Sequence, residues 1–170
     1  MDDKKVIKRS IYALEIWNTV NPKYFNLVVK INNEGKLQLC ATGSLTPGRL
    51  PTGVQKGKVP KGVKVFDYDN TITTVLEFAD CMNIVNFVNN LDPTDKVDIY
   101  RRIPGRFDKS IVLQWNVKDN VIQNAVMYFN MSQNGVETKV MIPFGVKILL
   151  EFAKVIESYM NNMPMIKLFC

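Results

Sequence analysis

The order of strand-like and helix-like segments most limits the folds open to this chain. Residues 11–17 (IYALEIW), 24–31 (YFNLVVKI), 36–45 (KLQLCATGSL) and 63–68 (VKVFDY) alternate apolar and polar positions. A period of two marks a half-buried strand. A helix is expected over 74–91, with Thr74 and Glu77 spaced as a capping box. A polar, proline-containing break follows at 92–95 (DPTD), and the order then recurs. Residues 97–103 (VDIYRRI), 110–117 (SIVLQWNV), 121–131 (VIQNAVMYFNM) and 136–142 (VETKVMI) read as strands, and 145–163 as a helix. Turns are expected at Lys118-Asp119-Asn120 and Gln133-Asn134-Gly135.

Strands that follow one another without helices between them form antiparallel sheets. The expected architecture is therefore α+β: an internally duplicated ββββα–ββββα, one domain built from repeats at 6–91 and 96–163, with an apolar tail at 164–170. The tetrapeptide LEFA occurs at Leu76 and again at Leu150, 74 residues apart, and suggests a register for the duplication. Leu76, Ala79, Met82 (or Ile84), Val85 and Val88 in the first helix, and Ile148, Phe152, Val155, Ile156 and Tyr159 in the second, are expected to face the core.

One stretch argues for a different chemistry. Residues 65–73 (VFDYDNTIT) resemble the DxDxT nucleophile loop of haloacid-dehalogenase phosphatases. That resemblance implies a parallel sheet with the loop after its first strand. Phosphoryl transfer through an aspartyl group also needs a charge-neutralising lysine and further acids for Mg²⁺. Here about 65 residues of strand-like sequence come first. At an offset of 74, Asp67 falls on Met141, Asp69 on Pro143 and Thr71 on Gly145, so the second copy carries no acids there. The reading is a polar strand-to-helix corner, with Asp67, Asp69, Asn70 and Thr71 near free helix N–H groups.

Bulk composition narrows the function. The 170 residues carry a net charge of +6, which favours an anionic partner. There is no histidine, which removes the commonest general base and every Ser/His or Cys/His mechanism. Cys40, Cys81 and Cys170 are far apart and form no metal or disulfide pattern, which fits a reducing intracellular compartment. No apolar run approaches the roughly 20 residues of a membrane helix, and residues 1–10 (MDDKKVIKRS) lack a secretory core. No cofactor, metal or catalytic activity is expected.

The positive charge is clustered. Residues 46–64 (TPGRLPTGVQKGKVPKGVK) carry Arg49, Lys56, Lys58, Lys61 and Lys64 with no acid, and the second copy replaces this loop by a tight turn. Mobile lysines neutralise successive phosphates without fixed register. A second cluster at 100–107 (YRRIPGRF) interleaves Arg101, Arg102 and Arg106 with aromatic rings. Trp17, Tyr24, Trp115 and Tyr128 are candidate stacking platforms on the sheet faces. No helix-turn-helix, zinc site or basic helix is visible, so single strands fit better than duplex.

With its duplicated ββββα order and basic hairpin, the chain resembles the Whirly and PC4-like single-stranded nucleic-acid-binding proteins over about residues 6–163. The resemblance implies two antiparallel sheets packed with helices, binding of single strands across sheet edges and hairpins, and homo-oligomers formed through the helices. The expected function is sequence-independent binding of single-stranded DNA in replication, recombination or repair. RNA is the alternative ligand and a protein-assembly role a further one. The Asn- and Lys-rich composition hints at an AT-rich, viral or phage genome.

Overall fold

Two four-stranded antiparallel sheets, each followed by a helix, make up the protein. The computed structural model describes residues 11–18, 25–45 and 61–169, with side chains except those of 11–13, 17–18 and 165–169. The first sheet contains β1 (Ile11–Asn18), β2 (Phe25–Ile31), β3 (Leu37–Thr42) and β4 (Ile72–Val75), and leads into α1 (Phe78–Asn90). The second contains β5 (Lys96–Ile103), β6 (Phe107–Lys118), β7 (Val121–Gln133) and β8 (Val136–Phe144), and leads into α2 (Val146–Phe169). Both sheets are meanders with strands in chain order, so the expected duplicated ββββα architecture is the one observed.

Alternation in the sequence becomes the two faces of each sheet. Leu27, Val29 and Ile31 on β2 and Leu37, Leu39 and Ala41 on β3 are buried together. Ile111, Leu113 and Trp115 on β6 join Ala125, Met127 and Phe129 on β7 in the same core cluster. The helices close it with Cys81, Ile84 and Val88 from α1 and Leu149, Phe152 and Ile156 from α2. Each buried Leu, Ile or Phe contributes roughly 1.5–3 kcal/mol. The hairpin turns are tight: Lys118 pairs with Val121 and Gln133 with Val136, leaving two residues in each loop. Asp119, Asn120, Asn134 and Gly135 all have positive φ, the conformation whose twist matches antiparallel strands.

Several expectations need correction. The fourth strand of the first sheet is Ile72–Val75, not 63–68. Only an isolated bridge, Ser44 to Phe66, remains of the earlier segment. In the β3–β4 ladder Ala41 pairs with Ile72, so an unbroken ladder would bring Asp69 opposite Ser44. Phe66 sits there instead, and the three additional residues are absorbed around the 3₁₀ turn Tyr68–Asn70. Asp67 and Asp69 therefore belong to a bulge inside an antiparallel ladder rather than a strand-to-helix corner. Asp67 accepts a 2.8 Å hydrogen bond from Asn70 Nδ2, and Thr71 Oγ1 donates to Tyr68 O. Among the described residues both sheets are antiparallel, not the parallel sheet that the phosphatase loop implies.

The capping box belongs to Glu77 and Asp80, not Thr74 and Glu77. Thr74 is paired with Leu39 in the sheet, so it is not free to cap.

The LEFA repeat does not superpose. Leu76 is 2% exposed but Leu150 43%, and Phe78 is 52% exposed but Phe152 0%. The first LEFA straddles the start of α1, whereas the second lies one turn inside α2, so the shared letters point in different directions. Of the stripe residues, Ala79, Met82 and Ile148 are exposed, whereas Ile84, the alternative to Met82, is buried.

Finally, the segment read as a tail is helical as far as Phe169. Pro164 lies inside α2, where it leaves the carbonyl of Met160 without its helical donor.

Candidate nucleic-acid interface

The edge strand β4 leans against the second sheet. Lys109 Nζ, on β6, donates a 2.9 Å hydrogen bond to the backbone oxygen of Thr73. A cleft of about 450 Å³ opens along this junction. Lys36, Gln38, Thr73 and Val75 line it from the first sheet; Arg101, Arg102, Ile103, Phe107 and Lys109 line it from the second. The exposed acids Glu34 and Glu77 line it as well.

Strand phase explains why cations reach this place. On β5, Arg101 follows Val97 and Ile99, both buried. On β6, Lys109 precedes Ile111, Leu113 and Trp115 in the same phase. Arg101 and Lys109 are direct cross-strand partners, so two cations face each other on the inner side of the sheet. Such like-charge pairs are unfavourable unless compensated. Arg101 is compensated by an ion pair with Asp80 of α1 and donates to Tyr100 O. Lys109 has Thr73 O and the Phe107 ring, whose centroid lies 4.2 Å from Nζ. No carboxylate pairs with Lys109 among the described residues. Desolvation holds its pKa below the usual lysine value, partly opposed by Cys40.

The outer face of the same sheet carries cations paired with acids, Arg102 with Asp108 and Lys139 with Glu137. Across the strands, Tyr100, Ser110, Asn130 and Lys139 form one row. Asn130 Nδ2 donates to Ser110 Oγ at 3.2 Å. Arg102 and Asp108 form the next row and lie 3.3 Å apart. Desolvation, and then the hydrogen bond to Asp108, raises the pKa of the Tyr100 phenol. A hollow of about 270 Å³ lies between the β5–β6 and β7–β8 turns, lined by Arg102, Arg106, Phe107, Ser132 and Asn134 among others.

The structure brings Arg101, Arg102 and Arg106 together on one hairpin. Lys61 and Lys64 are exposed on the segment that leads back to the Ser44–Phe66 bridge. Arg49, Lys56, Lys58 and Tyr24 lie outside the described residues. Trp17 pairs with Asn26 at the β1 edge, and its side chain is likewise outside them. Trp115 is corrected: it is 6% exposed and stacks on Phe87 of α1, ring centroids 4.4 Å apart, so it is a core residue and no stacking platform. Its core phase on β6, alternating with exposed Gln114 and Asn116, is the reason. Sequence reasoning passed over Lys36, Lys109 and Lys139. For Lys109 a signal existed: a lysine occupying the apolar phase of a strand.

No family profile and no curated protein sequence matches this chain. Solved structures do match. The plant transcriptional regulator PBF-2 aligns over 92% of this chain and 82% of its own, with a TM-score of 0.57 and 15% identity. WHY3 from Arabidopsis thaliana aligns over 91% and 86%, with a TM-score of 0.56 and 16% identity. The chain has the Whirly fold. A guide-RNA-binding protein complex, solved with a gRNA bound, aligns over 92% of both chains with a TM-score of 0.57 and 9% identity. At such identities the Whirly likeness is one of fold.

Proposed function

We propose that this Whirly-fold chain is a non-enzymatic, sequence-independent binder of single-stranded nucleic acid. The observation that carries the reading is the placement of cations around the β5–β6 hairpin. Arg101 and Lys109 are driven to the inner face against their mutual repulsion, and Arg102 and Arg106 flank them outside. Asp80 compensates Arg101, but no carboxylate compensates Lys109 among the described residues, and a phosphate backbone would supply that negative charge. Exposed Tyr100 supplies an aromatic face beside them. Lys61 and Lys64, at the end of the basic loop, extend the positive surface.

DNA is the first ligand, in replication, recombination or repair. RNA is the second reading, favoured by the likeness to a fold solved with a gRNA bound. Exposed Phe78 and Met82 on α1, and Ile148 and Leu150 on α2, support a homo-oligomer built through the helices. The buried free thiols of Cys40 and Cys81 suit a reducing compartment.

The test is fluorescence anisotropy with labelled oligo-dT, oligo-U and a duplex of equal length at two salt concentrations. Saturable, salt-sensitive binding of the single strands, with the duplex weaker, is expected. Equal or stronger binding of duplex, or no saturation, overturns the reading. Comparing dT with U decides between DNA and RNA.

A further inference from the structure

Among the described lysine side chains, only Lys30 and Lys109 are partly buried, and of these two only Lys109 lines the cleft beside β4. Lys96 and Lys139 are paired with carboxylates, whereas no carboxylate pairs with Lys109 among the described residues. A second cation, Arg101, is its cross-strand partner. Burial and a neighbouring cation both favour the neutral, nucleophilic amine of a lysine over its ammonium form. The amine is also held in place. Nζ donates to Thr73 O at 2.9 Å and lies 4.2 Å from the centre of the Phe107 ring. That hydrogen bond uses one N–H, so in the neutral amine the lone pair stays free for a carbon electrophile.

The cleft narrows what that electrophile is. Its volume of about 450 Å³ suits a small ligand or a short piece of a larger one. Val75, Ile103 and Phe107 give it apolar walls, and Lys36, Arg101 and Arg102 give it positive charge. Those cations draw an aldehyde flanked by phosphates more strongly than an uncharged one. A single DNA strand carries such a group wherever a base has been lost. The sugar left behind opens to an aldehyde at C1′, with a phosphate on either side.

We infer that Lys109 is a covalent capture site for the aldehyde of an abasic position in the bound strand. Nζ forms a bond to C1′, the carbonyl oxygen leaves as water with the two amine hydrogens, and an imine remains. No oxidant or reductant takes part. Water reverses the step, so it is capture rather than turnover and adds to the binding activity without making the chain an enzyme. The strand-borne aldehyde rests on the single-strand reading, whereas the reactive amine does not.

Cyanoborohydride, which reduces an imine to a stable amine, tests this on the full chain in two arms. In the first, dT oligomers of one length, intact or with one central abasic site, are supplied at saturating concentration. The abasic oligomer should give a protein–DNA adduct and the intact one none, and peptide mapping should place the adduct on Lys109. Lys109→Arg keeps the charge without the amine, and its adduct yield at saturating oligomer should fall at least about tenfold. In the second arm the chain meets 2-deoxyribose 5-phosphate without any oligomer. Lys109 should then be labelled ahead of the exposed Lys36, Lys61 and Lys64. No adduct in either arm, adducts spread evenly over the exposed lysines in both, or a yield undiminished in Lys109→Arg overturns the inference. Labelling of Lys109 by the sugar phosphate, with the abasic strand bound but not trapped, overturns the abasic-strand part. If the chain binds no oligomer at all, the single-strand reading fails, and selective labelling of Lys109 by the sugar phosphate still supports the reactive amine.

Discussion

Arg101 and Lys109 face each other across neighbouring strands, on the side of the second sheet that turns inward. Neither the core nor the sheet ladder benefits from that pair. Lys109 is the less compensated of the two, and desolvation depresses its pKa. Replacing it by methionine removes an unfavourably placed charge and one hydrogen bond to Thr73 O. Those effects offset, so Lys109→Met should unfold in urea within about 1 kcal/mol of the parent, or above it. Its affinity for oligo-dT should nevertheless fall about fivefold. A stability loss well beyond that range would show Lys109 to be a structural residue.

Asp80 has two roles that substitution can separate. It pairs with Arg101, and its Oδ2 accepts the Glu77 N–H at 2.8 Å in the capping box. Asp80→Ala loses both and leaves Arg101 uncompensated beside Lys109. Because Asp80 is only 14% exposed, the cost should be about 2 kcal/mol or more. Asp80→Asn keeps an acceptor for the cap and should cost about half as much. Equal losses in urea unfolding would mean that the cap carries nothing.

Trp115 is placed in the core by its stack on Phe87, although its indole Nε1 is buried without a partner among the described residues. Trp115→Ala should cost about 3–5 kcal/mol. Trp115→Phe keeps the stack and removes the unsatisfied N–H, so it should cost far less. Oligomer affinity of the Phe variant should match the parent. A large affinity loss in a stable Phe variant would return Trp115 to the binding surface.

Much of the fold was legible because strand alternation and turn chemistry act locally. The eight-strand, two-helix order and the Asp119-Asn120 and Asn134-Gly135 hairpins follow from period and residue type alone. The errors share a cause: they depended on pairing between distant segments. Residues 63–68 have strand character, but β3 takes Ile72–Val75 as its ladder partner and leaves only Phe66 bridged to Ser44. LEFA matched as letters, yet Leu76 and Leu150 have opposite burial, because helix start positions are set by where each last strand ends. The arginines at 101, 102 and 106 were visible as a cluster. That Arg101 would turn inward toward Lys109 required the β5–β6 register.

Cys81 links burial to pH. The thiol is fully buried in α1, and burial, then the neighbouring Asp80 charge, pushes its pKa up to about 12 from 9.0. A thiol with a raised folded pKa contributes stability that is complete below pH 9 and is lost as pH rises toward 12. Lys109 acts in the opposite sense below 10.5, where its depressed folded pKa makes stability rise with pH. The comparison that isolates the cysteine is therefore parent against Cys81→Ala. Thermal midpoints should converge between pH 8 and pH 11 as the parent loses its thiol term. Ellman's reagent at pH 8 should leave Cys81 unmodified in the folded protein. Rapid labelling there would mean that α1 opens readily.

Lys61 and Lys64 offer the cleanest electrostatic measurement, since both are exposed and neither enters an ion pair or the core among the described residues. Each phosphate neutralised on a single strand contributes a slope of about −0.7 to the plot of log affinity against log salt. If both lysines meet phosphates, Lys61→Gln with Lys64→Gln should flatten the slope by about 1.4 units while leaving the unfolding midpoint unchanged. The weakening should be the same for oligo-dT and oligo-dC, because phosphate contacts carry no sequence information. An unchanged slope would remove these two lysines from the path of the strand and confine it to the β5–β6 hairpin. A loss confined to one base composition would mean that the segment reads bases, against the sequence-independent binding proposed for the chain.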